Sequence, residues 1–83
     1  MTENIRYSEE KKEFYGENFN IKLCPDPRQD GKKWVPQILL SIPTSNITEQ
    51  YISDFDNECD NKEEAYEASK KIAIAVIKEK GLI

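Results

Sequence analysis

Histidine is absent from all 83 residues. Its absence removes the commonest general base at neutral pH, the commonest neutral metal ligand and every Ser-His or Cys-His pair. Cysteine is scarce. Cys24 and Cys59 are the whole complement, too few for the disulfide framework of a small secreted fold and without the CxxC spacing of a zinc site. Two free thiols are expected, with a single bridge between them as the alternative. No apolar run approaches the ~18 to 20 residues of a membrane span, and the polar start MTENIRYSEE has no h-region of a signal peptide, so a cytoplasmic protein is expected. GxGxxG, P-loop and GxSxG patterns are missing as well. A non-enzymatic protein is therefore expected, with no cofactor and no metal.

The composition sets what kind of surface the chain presents. Twelve Lys and Arg against sixteen Asp and Glu give a formal charge of −4, a field that repels phosphate backbones and favours a basic partner. Hydrophobic residues are 37% and charged residues 34%, with one Trp, four Tyr and three Phe; the aromatics and a clear hydrophobic pattern argue for a folded chain. A chain of this length makes one domain, burying about 60 to 65% of its unfolded surface.

No repeat, low-complexity tract or linker divides the sequence. Residues 1–13 are polar and are expected to be a partly ordered segment before a single domain at 14–83. Within the polar stretch, Ser8 followed by Glu9, Glu10, Lys11 and Lys12, with Gly16 beyond, suggests one or two helical turns with an N-cap and a glycine stop. From Asn18 the period is two: Phe19, Ile21 and Leu23 alternate with polar residues as in a half-buried strand. CPDPRQDGKK carries two prolines and an Asp-Gly and reads as a long hairpin turn. In the next strand Trp34, Ile38, Leu40 and Ile42 face one way and Val35, Gln37, Leu39 and Ser41 the other, with Pro36 at an outward or bulged position because it cannot donate to a ladder. After a turn at 43–46, a third strand through about 50–56 carries Tyr51, Ile52 and Phe55.

The segment from Lys62 to Lys80 is the clearest helix. Asn61 and Glu64 have capping-box spacing, acids crowd the first turn, and Lys78 and Lys80 precede Gly81. Ala65, Ala68, Ser69, Ile72 and Val76 form a stripe of helical period that can pack on Phe19, Ile21, Ile38 and Leu40. The expected architecture is α+β: a three-stranded antiparallel sheet with this helix across one face, in the order β-β-β-α. Trp34, Phe19, Ile21, Ile38, Leu40, Ile72 and Val76 are its expected core.

Two stretches invite a functional reading. DFDNECDNKEEAYEA, residues 54–68, puts oxygen ligands in part of an EF-hand register, with Asp56 first, Glu58 third, Asp60 fifth and Glu67 twelfth. Asn61 stands where that loop needs glycine, Glu63 where it needs an apolar residue, and no helix enters it. The favoured reading is an acidic loop leading into a capped helix, with Asp54, Asp56, Glu58, Asp60, Glu63 and Glu64 as the face that meets a basic protein. The alternative is a nucleic-acid-binding module using Arg28, Lys32, Lys33 and Trp34 in the 28–34 basic turn.

GKKWVPQILLSIP, followed about twenty residues later by NKEEAYEASKKIAIAVI, resembles small bacterial β-β-β-α domains and, more loosely, HicB-type antitoxins and the last strands and helix of a double-stranded-RNA-binding domain. A HicB-like resemblance implies a protein that neutralises a toxin by binding it, although residues 1–83 show neither that family's usual glycine- and proline-rich strand ends nor its DNA-binding segment. The RNA-binding family implies a basic run at the start of the last helix, where this chain has Glu63, Glu64 and Glu67. A homodimer is also expected: one helix covers one face of a sheet, leaving Val35 and Leu39 on the other, and IAIAVI at 72–77 is apolar on more than one side. The competing expectation is that Ile5, Tyr7 and Phe14 fold back over one of these patches.

Overall fold

The structure is a computed structural model, which describes residues 5–28, 32–43 and 47–81. Its described elements are β1 (Arg6–Ser8), β2 (Glu13–Tyr15), β3 (Asn20–Leu23), β4 (Asp26–Pro27), β5 (Trp34–Val35), β6 (Gln37–Ile42), β7 (Ile47–Ser53) and α1 (Lys62–Glu79). The class is α+β with the C-terminal helix against an antiparallel sheet, but the sheet has five strands rather than three. Their order is β1-β2-β3-β6-β7, and β4 and β5 form a separate two-stranded ribbon.

The two additional strands of the main sheet come from the polar N-terminal stretch. Instead of helical turns, β1 and β2 make a hairpin whose connection Glu9–Lys12 is tied by Ser8 Oγ accepting from the Lys11 N–H (3.2 Å) and by a Glu9–Lys12 ion pair (3.0 Å). Lys12 takes a left-handed φ of 53°, the turn-closing conformation that a continuous helix does not contain. In that hairpin Phe14 is buried, its ring centroid 4.6 Å from that of Tyr7, and Ile5 and Tyr7 pack against the core.

Register puts Phe14 beside Ile21, Ile21 beside Leu40, and Leu23 and Ile52 on either side of Ile38. That face carries the core, with Phe19 and Ile42, and α1 closes it using Ala65, Ser69, Ala73, Val76 and Ile77. The helix is rotated relative to the expected stripe, so that Ala73 and Ile77 point inward while Ile72 is only half-buried and Ile74 is exposed. The small residues at 65, 69 and 73 set this rotation, because they let the helix axis come close to the sheet. Its ends fall as expected: Asn61 Oδ1 accepts from the Glu64 N–H (2.9 Å), and Gly81 follows the helix at φ 65°. No helix among the described residues is long and apolar enough to cross a membrane.

Pro36 overturns the expected facing of its neighbours. It is fully buried rather than outward, and the strand breaks there: β5 leaves the main sheet to pair with β4, Val35 turns inward with no exposed surface, and Trp34 is half-buried. Beyond the break, the Gln37 N–H donates to Ser69 Oγ at 2.9 Å, pinning the sheet to the helix. The third expected strand ends at Ser53, two residues short of Phe55, which lies in a turn. The turn residues at 29–31 and 44–46 lie outside the described residues.

Two substitutions test this packing. Ser69→Ala leaves the Gln37 amide without its acceptor and is expected to cost about 1 to 3 kcal/mol in denaturant unfolding. Gly16→Ala places a methyl 2.5 Å from Cε1 of the buried Phe19 ring; displacing that ring is expected to cost about 1 to 3 kcal/mol.

Candidate interaction surface

The acidic stretch connects β7 to α1, and three local devices hold it in shape. Asn57 folds back on Asp54, its Nδ2 donating to Oδ2 at 2.8 Å and its backbone N–H to the Asp54 carbonyl at 3.3 Å. Cys59 exchanges both backbone hydrogen bonds with Trp34, at 2.8 and 2.7 Å, so the loop is stitched to β5. Asn61 then caps the helix.

The same stitching brings together the two stretches that the sequence offered as rival sites. Arg28 Nε lies 2.9 Å from Glu58 Oε2, and Lys33 Nζ is paired with Asp60 Oδ1. Glu58 and Asp60 are therefore neutralised within the chain, as are the cations of the basic turn that pair with them. Trp34 is covered too: Lys62 Nζ sits 5.8 Å from its ring centroid, which removes it as an open stacking platform. Of the six predicted partner-binding residues, Asp56, Glu63 and Glu64 are exposed and take part in none of the three salt bridges among the described residues, Glu64 lying within electrostatic reach of Lys33, and Asp54 is half-buried beside Asn57.

The charges act visibly on one another. The hydrogen bond from Lys33 holds the Asp60 carboxyl below its ordinary value, with the Lys33 charge adding to it, and the same pair raises Lys33. Burial pushes both free thiols up, Cys24 and Cys59 alike, so each is protonated at neutral pH. Among the described residues, no three His, Cys, Asp or Glu side chains are grouped so as to hold a metal ion.

Sequence reasoning missed Phe55. Assigned to the third strand, it is instead 61% exposed in the middle of the acidic loop. The Arg28 guanidinium carbon lies 5.9 Å from its ring centroid while Arg28 also pairs with Glu58, so one arginine braces the aromatic and the loop together. The signal was legible in DFD: an aromatic flanked by two aspartates and followed by Asn57 has no apolar neighbour with which to continue a strand. Searches against protein-family profiles, characterised proteins and solved structures find no match to this chain.

Asp60 offers a direct check on the stitched loop. Because its carboxyl is depressed in the folded state, the Lys33 pair favours folding at neutral pH and that contribution is lost as pH falls through the lowered value. In an NMR titration Asp60 is expected to ionise below ordinary aspartates, and Lys33→Ala is expected to move it back up.

Proposed function

We propose that this chain is a non-enzymatic protein-interaction module that meets a basic partner through the β7–α1 loop. The observation that carries the reading is Phe55, a large aromatic left mostly in water at the centre of a loop held by backbone pairing to β5 and by the cap of α1. A rigid exposed aromatic loses little conformational freedom when it enters a pocket, which is what an interface anchor requires. Asp54 and Asp56 flank it in the chain, Glu63 and Glu64 stand in the first turn of the helix that follows, and the four supply attraction for a positive surface. Glu58 and Asp60 serve differently: through Arg28 and Lys33 they shape the loop, so the binding surface is narrower than six equivalent carboxylates. Nucleic-acid binding through the 28–34 turn is disfavoured by those same pairs and by Lys62 over Trp34.

The test is affinity capture with the full chain, followed by measurement of the recovered partner's affinity. The expected partner is a basic protein whose binding falls with salt. Phe55→Ser should weaken it by about 2 kcal/mol, roughly thirtyfold. Neutralising Asp54, Asp56, Glu63 and Glu64 together should slow association about tenfold or more. Recovery of RNA, or of a protein indifferent to Phe55→Ser, would overturn the reading.

A further inference from the structure

The main sheet ends in two unequal edges. β1 is three residues long and begins with an exposed arginine, Arg6; short length and charge are the usual protections of an edge. β7 runs from Ile47 to Ser53, the longest strand described, with neither lysine nor proline and with Glu49 as its only charge. Among the described residues, nothing pairs with its outer side.

Register decides which backbone groups that edge presents. β7 pairs with β6 as Gln37 with Ser53, Ile38 with Ile52, Leu39 with Tyr51 and Leu40 with Gln50, and the Asp54 N–H continues the series by donating to the Pro36 carbonyl at 3.0 Å. Hydrogen-bonded pairs alternate along an antiparallel ladder. Asp54, Ile52 and Gln50 therefore spend their amides on the β6 side, while Ser53 and Tyr51 turn theirs outward. The side chains of Tyr51 and Glu49 lie on the sheet face opposite α1, where Tyr51 is 64% exposed and Glu49 borders a shallow depression with Leu39 and Ser41.

We infer that β7 pairs antiparallel with β7 of a second copy about a two-fold axis through Tyr51, joining two five-stranded sheets edge to edge. About that axis Tyr51 meets Tyr51 of the second copy in a hydrogen-bonded pair, and their rings lie side by side on the uncovered face. Each Glu49 lies opposite a Ser53, whose hydroxyl donates within its own chain to Gln37 Oε1 at 2.6 Å, and not opposite another carboxylate, so the one charge on the strand never opposes itself. This self-complementarity selects a second copy over a foreign strand as the occupant. The register shift between Leu40 and Ile42 places a bulge near the start of β7, which confines the flat, pairable part of the edge to its C-terminal residues. The inference is independent of the acidic-loop reading and has the opposite salt dependence: screening relieves repulsion between two chains of charge −4 and strengthens the dimer, whereas it weakens capture of a basic partner.

Sedimentation of the purified full chain, without any partner, over a range of concentration and salt tests this. The wild type should sediment at twice the mass of one chain, more completely at higher salt. Tyr51→Pro deletes an amide that β6 does not use and should yield a monomer with unchanged far-UV circular dichroism, while Tyr15→Lys, on the open face but on β2 and away from that edge, should remain dimeric. A wild-type monomer at every concentration, or a dimer broken by Tyr15→Lys and not by Tyr51→Pro, would overturn the edge pairing. If Tyr51→Pro fails to fold, hydrogen exchange of the wild type decides: the Tyr51 and Ser53 amides should exchange about tenfold or more slowly in concentrated than in dilute protein, and exchange that ignores concentration counts against the inference.

Discussion

The arrangement hinges on the missing amide of Pro36. A strand passing through a proline loses one ladder bond, and here the loss falls where three parts of the molecule meet. The chain before Pro36 peels away as β5 and carries Val35 into the core. The Pro36 carbonyl takes the Asp54 N–H and closes the end of β7, while the next amide, that of Gln37, goes to Ser69 on α1 and the Gln37 carbonyl accepts from the Cys24 N–H at 2.9 Å. Each of these bonds satisfies a group that would otherwise be buried without a partner. Together they set the spacing between sheet, ribbon and helix, and hence the path of the acidic loop that spans them.

Charge is organised by that path. The carboxylates of the β7–α1 connection and the cations of the β4–β5 ribbon look like competing binding sites when each is read alone. Held side by side, Glu58 and Asp60 spend their charge on Arg28 and Lys33. Exposed pairs of this kind add little to stability. Their consequence is selective: they leave fewer unpaired carboxylates along the loop that carries Phe55, and they take two cations out of the pool a nucleic acid would use. Elsewhere lysines lie over aromatics, Lys70 at 4.5 Å from the Tyr7 centroid and Lys12 at 5.5 Å from that of Tyr66, which ties the N-terminal hairpin to the helix as well as to the sheet.

Legibility followed periodicity. The alternation of Ile21 and Leu23 and of Ile38, Leu40 and Ile42 identified two inner strands and the face they bury, and Asn61 and Gly81 marked both ends of the helix. The β1–β2 hairpin was not legible because three-residue strands are too short to show a period, and their polar neighbours Glu9–Lys12 suit a helical turn as well as a hairpin connection. The rotation of α1, which buries Ile77 and leaves Ile72 half-buried, depends on how closely Ala65, Ser69 and Ala73 approach the sheet.

By itself, then, the sequence determined the class, one amphipathic helix closing a curtain of antiparallel strands, together with the helix limits. These are local properties: a hydrophobic period, a cap or a composition is complete within a few neighbouring residues. The tertiary structure decided what depends on partners distant in the chain. It added β1 and β2 to the sheet, reversed Val35, set Arg28 against Glu58 thirty positions away, exposed Phe55, and turned the amides of Tyr51 and Ser53 to a side of β7 that no strand among the described residues pairs. Backbone hydrogen bonds and ion pairs join groups that no period links, so only the folded chain reveals which of them are spent and which remain to meet another molecule.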